Sequence, residues 1–305
     1  MPRILVTGAA GFVGGHLVPM LAAMPGAEVT ASAFDVTDAS AVRAAIAALR
    51  PDACVHLAAI AAVKGAQADP DLAWRVNLHG TLNLARALMA EAPGCTLLFV
   101  STADAYGRSF QRGTKLDEDA PLAPLNTYGA TKAAADLALG AMAAEGLRII
   151  RARAFNHTGP GQSADFVVAS FARQAARIAA GLQPPRIQVG TLASMRDFLD
   201  VRDVCAAYAA CIARAEAIPP GTILNIASGT ARRVGDVLAD LLDLAGVEAE
   251  IVTDPARLRR SDIPTATGDA AAAARLLGWA PRIAWRQTLA DILEDWRRRV
   301  LAGDS

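Results

Sequence analysis

Short apolar segments alternate with longer amphipathic segments along the first half of the chain. Helical spacing of apolar residues predicts helices at "GFVGGHLVPMLAAM", at "DASAVRAAIAALRP", over about residues 71–90 and from about Tyr128 onward. Strands are predicted at "RILVTG", "AEVTAS", "ACVHLAA", "TLLFVST" and "LRIIRARAF". Several of these strands are apolar on both faces, which indicates a sheet covered on both sides. Strands that alternate with helices predict an α/β fold with a doubly wound parallel sheet.

Three glycines, Gly8, Gly11 and Gly14, lie between the first predicted strand and the first predicted helix. A bound pyrophosphate approaches the backbone closely at such a turn and lies at the N-terminus of the helix, which requires glycine. The same spacing occurs in tight turns without a ligand, but its place at the first strand–helix junction favours a Rossmann-type dinucleotide site. Asp35 is the nearest candidate for the ribose carboxylate, and no arginine there would hold a 2′-phosphate. The choice between NAD and NADP therefore stays open.

The alternation becomes looser after residue 157, where "GPGQ", "QPP" and "IPPG" interrupt the chain. We therefore predict a dinucleotide-binding domain over residues 1–157 and a smaller C-terminal α/β lobe, mainly for substrate, over residues 158–305. Residues from about 196 to 228 are expected to return in part to the first domain.

Composition narrows the class of protein. The 305 residues are 53% hydrophobic and 20% charged, as in a globular protein. Thirty basic and thirty acidic residues cancel, which gives no sign of a nucleic-acid or membrane surface. The four cysteines form no CxxC pair, so we expect reduced thiols and no metal site. With no signal-peptide pattern and no apolar run long enough to span a bilayer, the sequence predicts a cytoplasmic protein.

The stretch "NTYGATKAAAD" places Tyr128 and Lys132 one helical turn apart. Two unrelated residues on an exposed helix face would give the same pattern. However, Thr102 ends a predicted strand at the carboxyl edge of the sheet, where such folds bind ligands. There its hydroxyl can contact the same substrate oxygen as Tyr128. We expect the Lys132 ammonium to favour the phenolate and to lower the pKa of Tyr128. Together the three residues predict the acid–base group of a hydride-transfer enzyme.

The motifs "TGAAGFVG", "VHLAA", "VNLHGT", "STADAYG", "YGATK" and "RDFLDVRDV" resemble an extended short-chain dehydrogenase/reductase, in that family's order and over nearly the whole chain. "RARAFNHTGPGQ", "FVVASFARQ" and "DPARLRRSDIP" resemble its GDP-mannose 4,6-dehydratase and GDP-6-deoxy-D-mannose reductase branch. The resemblance implies an enzyme that uses NAD or NADP and acts on a nucleotide sugar.

The resemblance also implies roles for individual residues. It implies that Thr102, Tyr128 and Lys132 are catalytic, with Tyr128 as the acid and Lys132 also holding the nicotinamide ribose. Further cofactor contacts are implied at Gly8, Gly11, Phe12, Val13, Gly14, Asp35, Val36, Leu57, Ala58, Ala59 and His157. Substrate contacts are implied at Asn156, which would meet the phosphates, and at Arg196 and Arg259, which would clamp the diphosphate. Either arginine could instead be a solvated surface residue.

Dehydration needs an additional carboxylate, which the dehydratases supply as a Glu two residues after the catalytic Thr. Here that position is Asp104, one methylene shorter, which could instead bind substrate hydroxyls or cap a turn. A displacement of about 1 Å can cost a catalytic step on the order of 100-fold, so Asp104 is a poor substitute for that base. "LAAIAAVKG" also has alanines where the dehydratases carry polar residues.

We therefore expect NAD(P)H-dependent reduction of the C4 ketone of GDP-4-keto-6-deoxy-D-mannose. The product would be GDP-6-deoxy-D-mannose (GDP-D-rhamnose) or its C4 epimer. The alternatives are a nucleotide-sugar dehydratase or epimerase and, from another class, a non-catalytic NAD(P)-binding regulator. The apolar positions of helices 71–90 and 128–145 could be internal core. In this family that helix pair commonly forms a four-helix homodimer interface.

Overall fold

The structure, a computed structural model, describes residues 2–258 and 263–303. Its large sheet consists of β1 (Arg3–Thr7), β2 (Glu28–Ala31), β3 (Ala53–His56), β4 (Thr96–Thr102), β5 (Ile149–Ala154) and β9 (Thr222–Ile226). The six strands are parallel and lie in the order β2-β1-β3-β4-β5-β9. The order reverses direction beside β1, as in a doubly wound sheet. The predicted fold class is therefore confirmed.

Helices connect these strands and cover both faces of the sheet. They are α1 (Phe12–Ala22), α2 (Ala39–Leu49), α3 (Val63–Ala68), α4 (Pro70–Trp74), α5 (Thr81–Glu91) and α6 (Thr127–Ala144). The predicted helix over 71–90 is composed of α4, a π-helical turn at Arg75–Gly80, and α5. After β4 the chain forms short 3₁₀ turns at Ala103–Ala105 and Gly107–Arg112 before α6 begins.

The second half of the chain forms a smaller mixed lobe. Its strands are β6 (Asn156–Thr158), β7 (Arg186–Val189), β8 (Met195–Asp200), β10 (Ala231–Arg233), β11 (Glu250–Thr253) and β12 (Thr265–Ala266). Its helices are α7 (Val167–Ala179), α8 (Val201–Ala213), α9 (Val234–Ala245), α10 (Ala271–Leu277) and α11 (Trp285–Leu301). β8 pairs with β6, β10 and β12, while β7 and β11 form a separate parallel pair.

Three apolar clusters hold these layers together. One face of the large sheet packs on α1, α8 and α10, and the other packs on α2, α5 and α6. A third cluster joins α7, α9 and α11 in the C-terminal lobe. Because β9 extends the large sheet and α8 packs on α1, parts of the later chain help to build the half that contains the large sheet. The catalytic candidates lie where the two halves meet the carboxyl ends of the strands.

In residues 2–258 and 263–303, no helix is both long enough and apolar enough to cross a membrane. The four cysteines are buried free thiols. Burial raises the pKa of Cys95 to about 12, so this thiol stays protonated at neutral pH.

Candidate active site

The glycine turn after β1 leaves no room for side chains. Gly8 has a positive φ of 70°, and a Cβ atom there would lie 2.6 Å from the backbone nitrogen of Ala58. A Cβ atom on Gly14 would collide with the backbone of Ala9. Gly11 precedes the first residue of α1, so the N–H groups of the first turn remain available to a ligand. The turn therefore fits a pyrophosphate.

The other predicted cofactor positions border this turn or follow neighbouring strands. Phe12 and Val13 begin α1, and Leu57, Ala58 and Ala59 follow β3 directly. The Asp35 carboxylate accepts hydrogen bonds from the backbone N–H of Thr37 at 2.8 Å and from its hydroxyl at 2.9 Å. The Val36 side chain is buried. Asp35 therefore stabilises the turn that follows β2.

Thr102, Tyr128 and Lys132 meet at the carboxyl end of β4. Thr102 is the last residue of β4, and Tyr128 and Lys132 share α6. The Thr102 hydroxyl accepts a hydrogen bond of 3.2 Å from the backbone N–H of Asp104 and lies within hydrogen-bonding reach of Tyr128.

Sequence reasoning missed Asn126, which fixes the start of α6. Its side-chain oxygen accepts a hydrogen bond of 2.7 Å from the backbone N–H of Gly129, and its amide donates to Asp104 at 3.5 Å. An Asn immediately before a helical segment is a signal that could have identified it as the N-cap.

The electrostatics of Tyr128 differ from the expectation. Burial and the negative charge of Asp104 raise the pKa of Tyr128 above its ordinary value of 10, and the Thr102 hydroxyl opposes this shift only in part. The expectation that Lys132 lowers the tyrosine pKa was wrong, because desolvation of the phenolate is the largest effect and the charge of Asp104 adds to it. Tyr128 is therefore a protonated phenol at neutral pH.

Lys132 is almost completely enclosed, with 3% of its surface exposed. Its Nζ atom lies 4.2 Å from the centroid of the Phe99 ring, in a cation–π contact. Burial lowers the pKa of Lys132 to about 7, while Asp136 opposes the shift. The amine is consequently divided between its charged and neutral forms near neutral pH.

A buried chain of hydrogen bonds joins β1 and β3 to α6, and no sequence pattern predicted it. The His56 ring contacts the Thr7 hydroxyl at 2.7 Å and the Thr81 hydroxyl at 2.9 Å. The Asn77 side chain pairs with both backbone groups of Ile60, at 2.8 and 3.2 Å, and donates to the Thr131 hydroxyl at 2.9 Å.

Thr131 completes this chain of hydrogen bonds, because its hydroxyl donates to the backbone carbonyl of Tyr128 at 2.8 Å. The loop after β3 and the start of α6 are thus held together. Isolated polar residues in apolar segments are visible in a sequence, but their partners are not.

The remaining predicted residues lie mostly on the small sheet. His157, on β6, donates from Nδ1 to the Phe155 carbonyl at 2.9 Å, and its ring stacks on Phe12 with centroids 6.3 Å apart. Burial lowers the pKa of His157, so Nε2 is an unprotonated acceptor.

Two of the predicted substrate residues lie on the same small sheet as His157. Asn156 is exposed next to His157, and Arg196 on the adjacent β8 donates to the Met195 carbonyl at 2.7 Å. Arg259 lies outside the described residues.

A cavity of about 410 Å³ lies in the C-terminal lobe and was not predicted. Apart from Pro184, its lining consists of residues with guanidinium or amide side chains: Arg173, Gln174, Arg177, Gln183, Arg186, Gln188 and Arg257. Arg186 and Arg257 have the carboxylate partners Glu250 and Asp254. The described residues provide no carboxylate partner for the other two arginines, so the cavity has an excess of positive charge.

Comparisons with known proteins agree with this arrangement. The family model described as GDP-mannose 4,6 dehydratase matches residues 22–292. GDP-6-deoxy-D-mannose reductase of Pseudomonas aeruginosa is 41% identical over 98% of each chain. GDP-6-deoxy-D-talose 4-dehydrogenase of Aggregatibacter actinomycetemcomitans is 28% identical over 90% of this chain and 91% of its own.

Solved structures extend the agreement to the fold. The structure of RMD from Pseudomonas aeruginosa complexed with NADPH has a TM-score of 0.89 and 37% identity, covering 98% of this chain and all of its own. A putative epimerase from Burkholderia cenocepacia has a TM-score of 0.83 and 34% identity, covering 97% of this chain and 98% of its own. The chain therefore belongs to the GDP-mannose 4,6-dehydratase family of extended short-chain dehydrogenase/reductases.

Proposed function

We propose that this protein reduces the C4 ketone of GDP-4-keto-6-deoxy-D-mannose and yields GDP-6-deoxy-D-mannose or its C4 epimer. The observation that carries the proposal is the meeting of Tyr128, Thr102 and Lys132 at the carboxyl end of β4, where burial keeps the Tyr128 phenol protonated. Ketone reduction requires a proton donor at that point, whereas a dehydratase must begin by oxidising an alcohol and requires a base. The names of the similar reductase and dehydrogenase support the same substrate class.

NADPH is the proposed reductant. The glycine turn fits a pyrophosphate, and β2 ends at Ala31 without the carboxylate that would repel a 2′-phosphate. Nε2 of His157 is an acceptor suited to the amide of the nicotinamide. When bound, the reduced nicotinamide supplies a hydride to the ketone carbon.

The protein groups then handle the oxygen and its proton. Tyr128 donates its phenolic proton to the ketone oxygen as the alcohol forms, and afterwards recovers a proton from water. The Thr102 hydroxyl hydrogen-bonds the same oxygen and orients it. The charged form of Lys132 holds the nicotinamide ribose and stabilises the transient phenolate. Asp104 helps to keep the phenol protonated before the reaction and binds sugar hydroxyls.

The nucleotide is proposed to lie along the C-terminal lobe. Asn156 and Arg196, on adjacent strands, would contact its phosphates together with Arg259. The arginine- and glutamine-lined cavity would receive the base, because guanidinium groups match the O6 and N7 acceptors of guanine.

We propose that the protein is a cytoplasmic homodimer. On α6, Leu137 is 61% exposed and the neighbouring solvent-facing positions are mainly alanines. A second copy of α5 and α6 would cover this surface in a four-helix interface. The free cysteines are compatible with a reducing compartment.

The direct test is incubation with GDP-4-keto-6-deoxy-D-mannose and NADPH or NADH while absorbance is followed at 340 nm. The proposal predicts stoichiometric oxidation of the cofactor, faster with NADPH. No oxidation of either cofactor would reject the reductase function. Consumption of GDP-mannose without added reductant would favour the dehydratase instead.

Nucleotide specificity requires a separate measurement. We expect GDP to raise the melting temperature more than UDP or dTDP do, because bound ligand stabilises the folded state by mass action. Equal shifts for the three nucleotides would remove the guanine assignment but would leave the reductase assay unaffected.

A further inference from the structure

A buried group of charged side chains lies beside α6, one helical turn beyond Lys132. Asp136 follows Lys132 by one turn of α6 and is completely buried. Arg153 donates to both of its carboxylate oxygens, from Nε at 3.0 Å and from Nη2 at 3.1 Å. Arg151 donates from Nη1 to Oδ1 at 3.1 Å. One carboxylate thus binds two guanidinium groups, both from β5.

These two arginines prevent a simple ion pair on α6. A carboxylate four residues after a lysine ordinarily pairs with it on the helix surface. Here both oxygens of Asp136 already accept from arginines, and the Lys132 Nζ atom lies over the Phe99 ring instead. Lys132 therefore experiences the negative charge of Asp136, while its Nζ atom stays over the Phe99 ring and both carboxylate oxygens are occupied by arginines.

The other groups that face Lys132 contribute less variable charge. His56 on β3 remains neutral, since burial lowers its pKa to about 3 and both ring nitrogens have hydroxyl partners. Tyr128 is protonated, and Asp136 is the carboxylate whose charge acts on Lys132. The negative charge of Asp136, partly neutralised by its two arginines, therefore sets the local electrostatic potential at Lys132.

We propose that Asp136, held by Arg151 and Arg153, is a positioning group that sets the charge and direction of the Lys132 ammonium for cofactor binding and proton donation. Asp136 acts through Lys132 and does not contact the substrate. The inference rests on the function proposed above only for the catalytic step, because cofactor binding can be measured without the sugar nucleotide.

Three variants change the charge around Lys132, one lowering and two raising the pKa of its amine. Asp136→Asn removes the negative charge and should lower the pKa of Lys132. Arg151→Gln leaves Asp136 less neutralised and should raise it. Gly140→Ala should act like Arg151→Gln, because its Cβ atom would lie 2.5 Å from Nη1 of Arg151 and displace that guanidinium. Gly140→Ala removes no charge, and its gain in helix propensity offsets part of the cost of the displaced Arg151 hydrogen bonds.

The measurement is the dissociation constant of NADPH as a function of pH, from the fluorescence of the bound cofactor, with kcat/KM for NADPH alongside. Affinity should weaken as pH rises through the pKa of Lys132. Since charges within about 4–6 Å shift a pKa by roughly one unit or more, the midpoint should fall by about one pH unit in Asp136→Asn. It should rise by about half a unit in Arg151→Gln and Gly140→Ala. The 2′-phosphate of NADPH titrates equally with every variant, so it does not affect the comparison of midpoints.

Arg148→Gln is the matched control, because Arg148 lies close to the same strand but contacts Thr96 rather than Asp136. Its midpoint should equal that of the wild type. Opposite shifts for loss of the carboxylate and loss of the guanidinium support the proposal. Unchanged midpoints, or shifts in one direction for all variants, overturn it. If Asp136→Asn does not fold, the other two variants decide the matter. A wild type that binds NADPH but leaves the ketone intact would reject the proposed function while leaving this test valid.

Discussion

Asn77 should be a structural link between the cofactor loop and the catalytic helix, and Asn77→Ala tests this directly. The buried side chain bonds both backbone groups of Ile60 and the Thr131 hydroxyl, which in turn supports the Tyr128 carbonyl. Alanine removes three hydrogen bonds and leaves the N–H and carbonyl of Ile60 without their partners.

The structure sets the magnitude of this loss. An unsatisfied buried backbone group costs about 1–3 kcal/mol, but Ile60 is only part-buried, so water will replace some of the lost bonds. We therefore expect a loss of about 2–4 kcal/mol in the free energy of unfolding. For a chain of this size that corresponds to a fall of roughly 3–6 °C in melting temperature. NADPH should also bind more weakly, because the loop after β3 borders the glycine turn.

Urea unfolding and NADPH fluorescence measure the two effects. Asn83→Ala is the matched control: it lies on α5, and its side chain donates mainly to the Val36 carbonyl, at 3.1 Å. The control should lose less than half as much stability. Equal losses in the two variants, or a wild-type NADPH affinity in Asn77→Ala, would refute the reasoning.

Three further predictions concern a charge, an interface and a glycine. Lys132→Met should abolish reductase activity yet be more stable than the wild type at pH 7, since the folded state lowers the pKa of this amine from 10.5 to about 7. Wild-type stability should therefore rise by up to about 1.4 kcal/mol per pH unit between these two pKa values. In urea titrations the wild type should be less stable than Lys132→Met at pH 7 and nearly as stable at pH 10. A variant that is less stable than the wild type at pH 7 contradicts this prediction. Leu137→Lys should convert the dimer to a monomer in light scattering, and a persistent dimer would exclude this face. Gly14→Ala should lose about 1–3 kcal/mol of stability by overpacking and fail to bind NADPH in a fluorescence titration, whereas normal binding would rule out the pyrophosphate site.

Periodicity was enough to predict the doubly wound sheet because most of its strands are buried apolar runs that alternate with helices. The resemblance to the GDP-mannose 4,6-dehydratase branch is likewise confirmed by the family match. Spacing alone indicated that Tyr128 and Lys132 share a helix face, since four residues make about one turn. The functions of these residues remain proposals.

Interactions that depend on burial could not be derived from spacing. The pKa of Tyr128 was expected to fall, and it rises because the cost of burying a phenolate depends on surroundings that only the folded chain defines. The pairing of Asp136 with Arg151 and Arg153 joins a helix to a separate strand, so no local pattern reveals it. The arginine-lined cavity is assembled from α7, β7 and a later turn in the same way.

The central claim is that the phenol of Tyr128 protonates the ketone oxygen, and Tyr128→Phe tests it with the smallest change available. Single-turnover oxidation of NADPH by GDP-4-keto-6-deoxy-D-mannose should slow by roughly 10²–10⁴-fold, with NADPH affinity unchanged. Tyr208→Phe is the matched control, because the Tyr208 hydroxyl is buried without a hydrogen-bond partner in the described part of the chain, and this variant should keep the wild-type rate. A Tyr128→Phe enzyme that turns over at the wild-type rate would contradict the account.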